Sequence, residues 1–224
     1  MVDSIVSNSK KLGSIHLEQL AQLMKYAQTE NDVETILKAF STAAMKTLGD
    51  PSAAKIPGNL KANEYQFSVA GFFLHIPERK ESCLVAEQGF PVEQHRLCIP
   101  DDVGHPGWVV KHKKPLLLSN TDEHSDFKQI LKSARMGSAM YSPMFSSGTF
   151  IGQFITASQA RQTYRIQDHE IHQVYTSCAN LVFNALNGSS ILKLHPEEIV
   201  VDWRDTQMKK SIDPFIATRP VIGA

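Results

Sequence analysis

Histidine and cysteine are the residues best placed for chemistry in this chain. His105, His112 and His124 gather in its middle, and imidazoles converging on a cavity can bind a metal, a haem iron or an anionic ligand. Their spacing matches no metal-binding motif, so polar or rim histidines are the simpler expectation. His169 and His172 stand three apart, which on a helix would let them share a metal; a solvated helix face is the expectation here. Cys83, Cys98 and Cys178 are odd in number and widely spaced. That pattern argues against a disulfide framework and fits a reducing compartment, and a cytoplasmic location is expected. Cys83 and Cys98 fall on neighbouring predicted strands and are able to meet, although buried cysteine usually behaves as a small inert hydrophobe. No Gly-rich phosphate loop, Cys-x-x-Cys pair, Gly-x-Ser-x-Gly elbow or His-Glu-x-x-His helix occurs in the sequence.

The bulk numbers bound what such residues can serve. With 224 residues, 42% of them hydrophobic, the chain can bury one substantial core with helical extensions. Lys+Arg and Asp+Glu are both 23, so no sequence-wide attraction to nucleic acid or to an anionic membrane is expected. No apolar run approaches the about 20 residues that span a bilayer, and the first residues lack the apolar stretch of an export signal.

Periodicity then places the elements. A helix capped by Ser14 and running to about Gln28 carries Leu17, Leu20, Ala21 and Met24 on one face. Asn31 and Glu34 have capping-box spacing for a second helix over 32–48, stopped by Gly49 and Pro51. Residues 50–63 read as a loop. The segment 64–76 predicts a strand covered on both faces, with Tyr65, Phe67, Val69 and Phe73 on one side and Phe72, Leu74 and Ile76 on the other. Strands over 81–87 and 95–99 complete an antiparallel meander. An irregular middle follows: a short helix at 107–112, a short buried strand at 115–118 and a helix at 126–134. A hairpin over 139–145 and 149–157 turns at Ser146-Ser147-Gly148. A long final helix carries Ile171, Val174, Tyr175, Cys178, Leu181, Val182 and Ala185 as one stripe, able to serve the sheet or a second subunit. Beyond Ser190 three prolines divide a tail that reads as a packing arm.

This order of elements resembles the GAF fold, a ligand-binding relative of the PAS module. Local motifs agree: Gly104-His105-Pro106-Gly107-Trp108 resembles the family's Gly-x-x-Gly helix start, and Pro115-Leu116-Leu117-Leu118-Ser119-Asn120-Thr121-Asp122 its apolar-Pro strand and Asp-bearing turn. Ser138-Ala139-Met140-Tyr141-Ser142-Pro143-Met144, Ile151-Gly152-Gln153-Phe154 and Tyr164-Arg165-Ile166-Gln167-Asp168 are similar to its later strands and final-helix opening. Gly152 would permit close backbone approach and Asp168 would place negative charge at a helix start. The expected fold is α+β, a GAF/PAS-like central antiparallel sheet with flanking N- and C-terminal helices. The expected division is a helical extension over 1–30, a GAF-like domain over 31–187 and a tail over 188–224.

The resemblance implies a ligand between the sheet and the insert, walled by Phe73, His75, Trp108, Phe127, Tyr141 and Phe154, with His105 and His124 beside it. Ser119, Ser142 and Ser146 are the polar anchors of such a pocket. It implies a small-molecule sensor of unidentified ligand and cofactor, signalling through a homodimer built from helices near 15–28 and 166–187. A ligand-free dimerisation or interaction module is the alternative. Some GAF proteins reduce free methionine sulfoxide with cysteines before and inside the Gly-x-x-Gly turn and in the insert. Here Cys98 lies near the first such position, while the turn carries His105-Pro106 and Ser133-Ala134-Arg135-Met136 has no resolving thiol.

Overall fold

A computed structural model describes residues 2–91, 94–123, 136–191 and 201–202. Helix α1 runs over Val2–Tyr26 as one piece. Ser14 is therefore an interior residue and not a cap: nothing before it breaks the helix, because a single glycine, Gly13, lowers helix propensity without stopping it. Helix α2, Val33–Thr47, is capped not by Asn31 but by Asp32, whose carboxylate accepts from the Glu34 and Thr35 amides at 3.3 and 3.2 Å. Glu34 is thereby free to reach the sheet.

Among the described residues seven strands form one sheet in the order β4-β5-β6-β1-β2-β3-β7. β1 (Ser68–Ile76), β2 (Glu81–Gln88) and β3 (Leu97–Pro100) make the expected antiparallel meander, and β1 is central. β5 (Ser138–Ser146) and β6 (Thr149–Ser158) form the expected hairpin, turned by Ser147 and Gly148 with both at positive φ. β6 returns beside β1, and a Cβ at Gly152 would stand 2.4 Å from the Phe73 carbonyl oxygen, so only glycine permits this spacing. β4 (Leu116–Leu118) pairs only with β5 and so sits at the edge, half-buried, where full burial was expected. Two tail residues, Val201–Asp202, form β7 and add in parallel to β3. The segment expected as a helix at 126–134 lies outside the described residues.

Alternation along β1 divides the core. Ala70, Phe72 and Leu74 join a cluster with Ile36, Leu37 and Phe40 of α2 and with Tyr175, Val182 and Phe183 of the final helix α4 (Ile166–Ala185). Phe67, Val69 and Phe73 join a second cluster on the opposite face, with Val109 from helix α3 (Gly104–His112), Leu118, Tyr141 and Ile155. The sheet is thus covered by α2 and α4 on one side and by α3 on the other. Asp168 fastens the start of α4: its carboxylate accepts from the Arg165 amide and from the Gly49 amide, both at 2.9 Å, which joins the end of α2 to the beginning of α4.

Candidate functional site

The expected pocket wall separates onto the two faces of the sheet. Phe73 and Tyr141 belong to the face under α3, both buried. His105 is brought to the same place by the first turn of α3, its ring edge-on to Tyr141 with centroids 6.1 Å apart. Gly107 allows this helix to pack so low, because a Cβ there would meet the Asp101 carbonyl oxygen at 2.7 Å. Trp108 only borders the cluster: it is half-buried and stacks on His112 at 4.2 Å, beside a shallow groove of about 710 Å³ that also takes in Asp101, Asp102 and Lys111. His75 lies at the end of β1, its Nε2 3.0 Å from the Asp101 carboxylate, on the rim of a separate cleft of about 310 Å³ lined by Phe150, Ile151, Phe183 and Asn187. Ser146 borders that cleft too, and Ser119 instead donates to the Tyr164 carbonyl at 3.1 Å. His124 and Phe127 fall outside the described residues.

Ser142 and Phe154 are corrections to the expected wall, because both point into the helix-facing side. Strand alternation requires it: Tyr141 and Ile155 face α3, so their neighbours face α4. Phe154 stacks between Phe72 at 4.3 Å and His172 at 4.6 Å, and Ser142 Oγ is hydrogen-bonded to His172 Nδ1 at 2.7 Å. His169 and His172 are correspondingly not on a solvated helix face. His172 is 0% exposed, and burial, with His169 beside it, pushes its pKa down to about 3. Burial likewise lowers His169 and His16, the latter partly offset by Asp168. These imidazoles are neutral near pH 7 and act as polar wedges in the helix layer.

Gln153, which the sequence reading passed over, is the polar group at the centre of the α3 face. It pairs across from Phe73 and is wholly buried, its Nε2 donating 3.0 Å to the Pro106 carbonyl of α3. Its Oε1 has no hydrogen-bond partner among the described residues. An amide oxygen buried without a partner costs on the order of 1–3 kcal/mol, a penalty that an incoming donor removes. A single-residue shift in alternation was the signal: Gln153 stands where the strand turns its side chain to the α3 face, one position before the aromatic that drew notice.

Arg161 frames the same face. Its buried guanidinium pairs with Glu64 and, at 3.0 Å, with Asp122, while Thr121 Oγ1 donates to the Met136 carbonyl at 2.6 Å. The Thr121 amide also donates to the Gly137 carbonyl at 2.9 Å, so the two positions flanking 124–135 are held together. Cys83 and Cys98 lie in the helix-facing cluster, and Cys178 is on α4. Among the described residues, no three His, Cys, Asp or Glu side chains are grouped to hold a metal ion. Nor is any helix of those residues long and apolar enough to cross a membrane.

Comparison with known proteins agrees with this architecture. A free methionine-R-sulfoxide reductase from Neisseria meningitidis is similar over 79% of this chain and 92% of its own, at 19% identity and a TM-score of 0.61. The GAF domain of a phosphoenolpyruvate-protein phosphotransferase from Coxiella burnetii is similar over 80% of this chain and 95% of its own, at 16% identity and a TM-score of 0.59. The corresponding domain from Acinetobacter covers 78% and 95%, at 13% identity and a TM-score of 0.61. No curated protein matches the chain. The family model of the GAF domain matches residues 32–186. With the α+β sheet, the α3 turn and the hairpin all in place, the chain belongs to the GAF domain family.

Proposed function

We propose that this chain is a regulatory domain that binds a small molecule on the α3 side of the sheet, over Phe73, Tyr141, His105 and Gln153. The unpartnered Gln153 oxygen carries the reading: an apolar and aromatic wall with one oriented, unsatisfied acceptor is how small-molecule sites combine affinity with orientation. The ligand has a donor N–H or O–H and a flat or apolar body, matching the acceptor and the rings beside it. Its effect on output requires different affinities for two arrangements of the flanking helices. The unit is the GAF-like core over 31–187, and the odd number and wide spacing of its three cysteines fit a reducing, cytoplasmic setting.

Three of the similar structures, of two proteins, are of free methionine-R-sulfoxide reductases. That chemistry on the α3 face would need a thiol there, whereas Cys83 and Cys98 sit on the opposite face and Cys178 on α4. Binding is therefore favoured over reduction. A second reading, dimerisation, is favoured by the apolar side chains that α1 and α4 expose: Leu17 is 69% exposed, Leu181 65% and Val174 49%. In our reading the homodimer formed there is the output of the sensor.

Mass spectrometry of small molecules retained through gentle purification, followed by thermal shift with each, tests the binding site. A ligand that raises the melting temperature of the parent but not of Gln153→Leu supports it. An equal rise in both proteins refutes the site.

A further inference from the structure

The register of the β2–β3 pair places two thiols directly opposite each other. Cys83 and Cys98 are Cα partners, in step with Ser82↔Ile99 and Glu81↔Pro100. Just outside this run the Asp101 amide donates to the Lys80 carbonyl at 3.0 Å, which makes Lys80 and Asp101 a hydrogen-bonded pair. Antiparallel pairs alternate in type, so 81/100 is non-hydrogen-bonded, 82/99 hydrogen-bonded and 83/98 non-hydrogen-bonded. Pro100, which has no N–H to give, falls at a non-hydrogen-bonded position, as this count demands. In such pairs the Cα atoms are about 4.5 Å apart and the side chains closest, and a disulfide spans Cα separations from about 4.4 to 6.8 Å.

Further observations set this pair apart from two cysteines that merely share a core. Both side chains point to the same, helix-facing cluster. Both sulfurs lie near the Arg96 carbonyl oxygen, at 3.7 and 3.6 Å. Both backbones are held on two sides, Cys83 between Leu74 and Cys98, and Cys98 between Cys83 and Asp202. The sheet therefore fixes the opposition of the thiols before any bond forms. Cys83 is hydrogen-bonded to Cys98, which raises the Cys83 pKa and lowers that of Cys98, with Arg79 and Arg96 adding positive charge near Cys98. The pair needs one sulfur that ionises and attacks, taken here as Cys98, and one that resolves, Cys83.

We propose that Cys83 and Cys98 form a redox-active dithiol that closes reversibly into a cross-strand disulfide when a hydroperoxide reaches it. Both thiols are nearly inaccessible, at 0% and 2% exposure, which selects a small neutral oxidant such as hydrogen peroxide over a bulky disulfide. The Cys98 thiolate attacks one peroxide oxygen and the O–O bond breaks. Cys98 becomes a sulfenic acid, and the departing hydroxide takes up the proton lost from the Cys98 thiol to leave as water. The Cys83 sulfur then attacks the sulfenic sulfur, and hydroxide leaves with the Cys83 proton as a second water. Two thiols have lost two electrons and the peroxide has gained them. A small dithiol reductant reopens the bond by exchange.

Peptide mapping of the full chain tests this, because trypsin cleaves after Arg96 and puts the two cysteines on separate peptides. After exposure of the folded protein to hydrogen peroxide and blocking of remaining thiols, a linked Cys83–Cys98 peptide pair is expected, lighter than its two components by two hydrogens and released by dithiothreitol. The same link is expected in Cys178→Ser and absent in Cys98→Ser. Oxidation confined to Cys178, or stable addition of oxygen to Cys98 without a link to Cys83, overturns the proposal. Since the first measurement uses the unaltered chain, a folding defect in Cys98→Ser leaves it decisive.

Discussion

The two faces of the sheet draw on the same strands and pack their polar groups differently. On the helix side Ser142 bonds His172, and His172, whose Nε2 has no hydrogen-bond partner among the described residues, closes a ring stack with Phe154 and Phe72. On the α3 side Gln153 is bonded at one end to α3 and left open at the other, among Phe73 and Tyr141. The first arrangement rigidifies, since stacked rings and a satisfied hydroxyl have a single good geometry. The second leaves an acceptor unsatisfied within the buried α3 face. In the function proposed above, the first face carries stability and the second carries recognition.

The largest test of that contrast is Phe154→Ala, which empties the middle of the stack and is expected to cost about 3–5 kcal/mol in chemical denaturation. A loss below about 1 kcal/mol would mean the helix side is not the stable face. Next comes pH. The His172 pKa is lowered to about 3 in the folded protein from 6.5, so between those values the unfolded chain binds more protons. Its contribution is complete above pH 6.5 and is lost as pH falls, at up to about 1.4 kcal/mol per pH unit. His16 and His169, also lowered, add in the same direction. In His172→Phe the fall in unfolding free energy from pH 6.5 to 5 is expected to flatten; an unchanged slope would assign it to other groups.

Smaller effects are expected on the recognition side. Gln153→Leu removes the unpartnered oxygen together with the bond to Pro106, and stability is expected to stay within about 1 kcal/mol while ligand response disappears. A large destabilisation would place Gln153 among the structural groups. The smallest effect on folding is expected from Leu181→Glu on the exposed side of α4, within about 0.5 kcal/mol. Light scattering should nonetheless show the loss of the dimer proposed above, and an unaltered mass would remove α4 from that proposed interface.

Much of the scaffold was legible from local pattern. The double-faced character of β1 followed from Phe and Val alternating with Phe and Leu, and the sheet does bury both sets. Asp168 and Gly152 were readable for a similar reason: a carboxylate at a helix start and a glycine in a strand each imply their neighbours. The site was less legible. Phe154 drew attention as an aromatic and Ser142 as a possible anchor, yet which face each strand residue takes depends on register, and a shift of one residue reverses it. His169 and His172 looked solvated because histidine is polar, and only their packing against β5 and β6 shows otherwise. On α4, Tyr175 and Val182 of the expected stripe face the core, while Val174 and Leu181 do not.

Periodicity, turn residues and motif order thus determined by themselves that this chain makes an α+β GAF scaffold, because those signals are carried by residues a few positions apart. The placement of α3 against one face and of α2 and α4 against the other came only with the tertiary structure. So did the orientation of Gln153 toward the α3 side and the meeting of Cys83 with Cys98. Each depends on pairing between distant strands, where the free energy belongs to contacts across the sheet and leaves no local imprint on the chain.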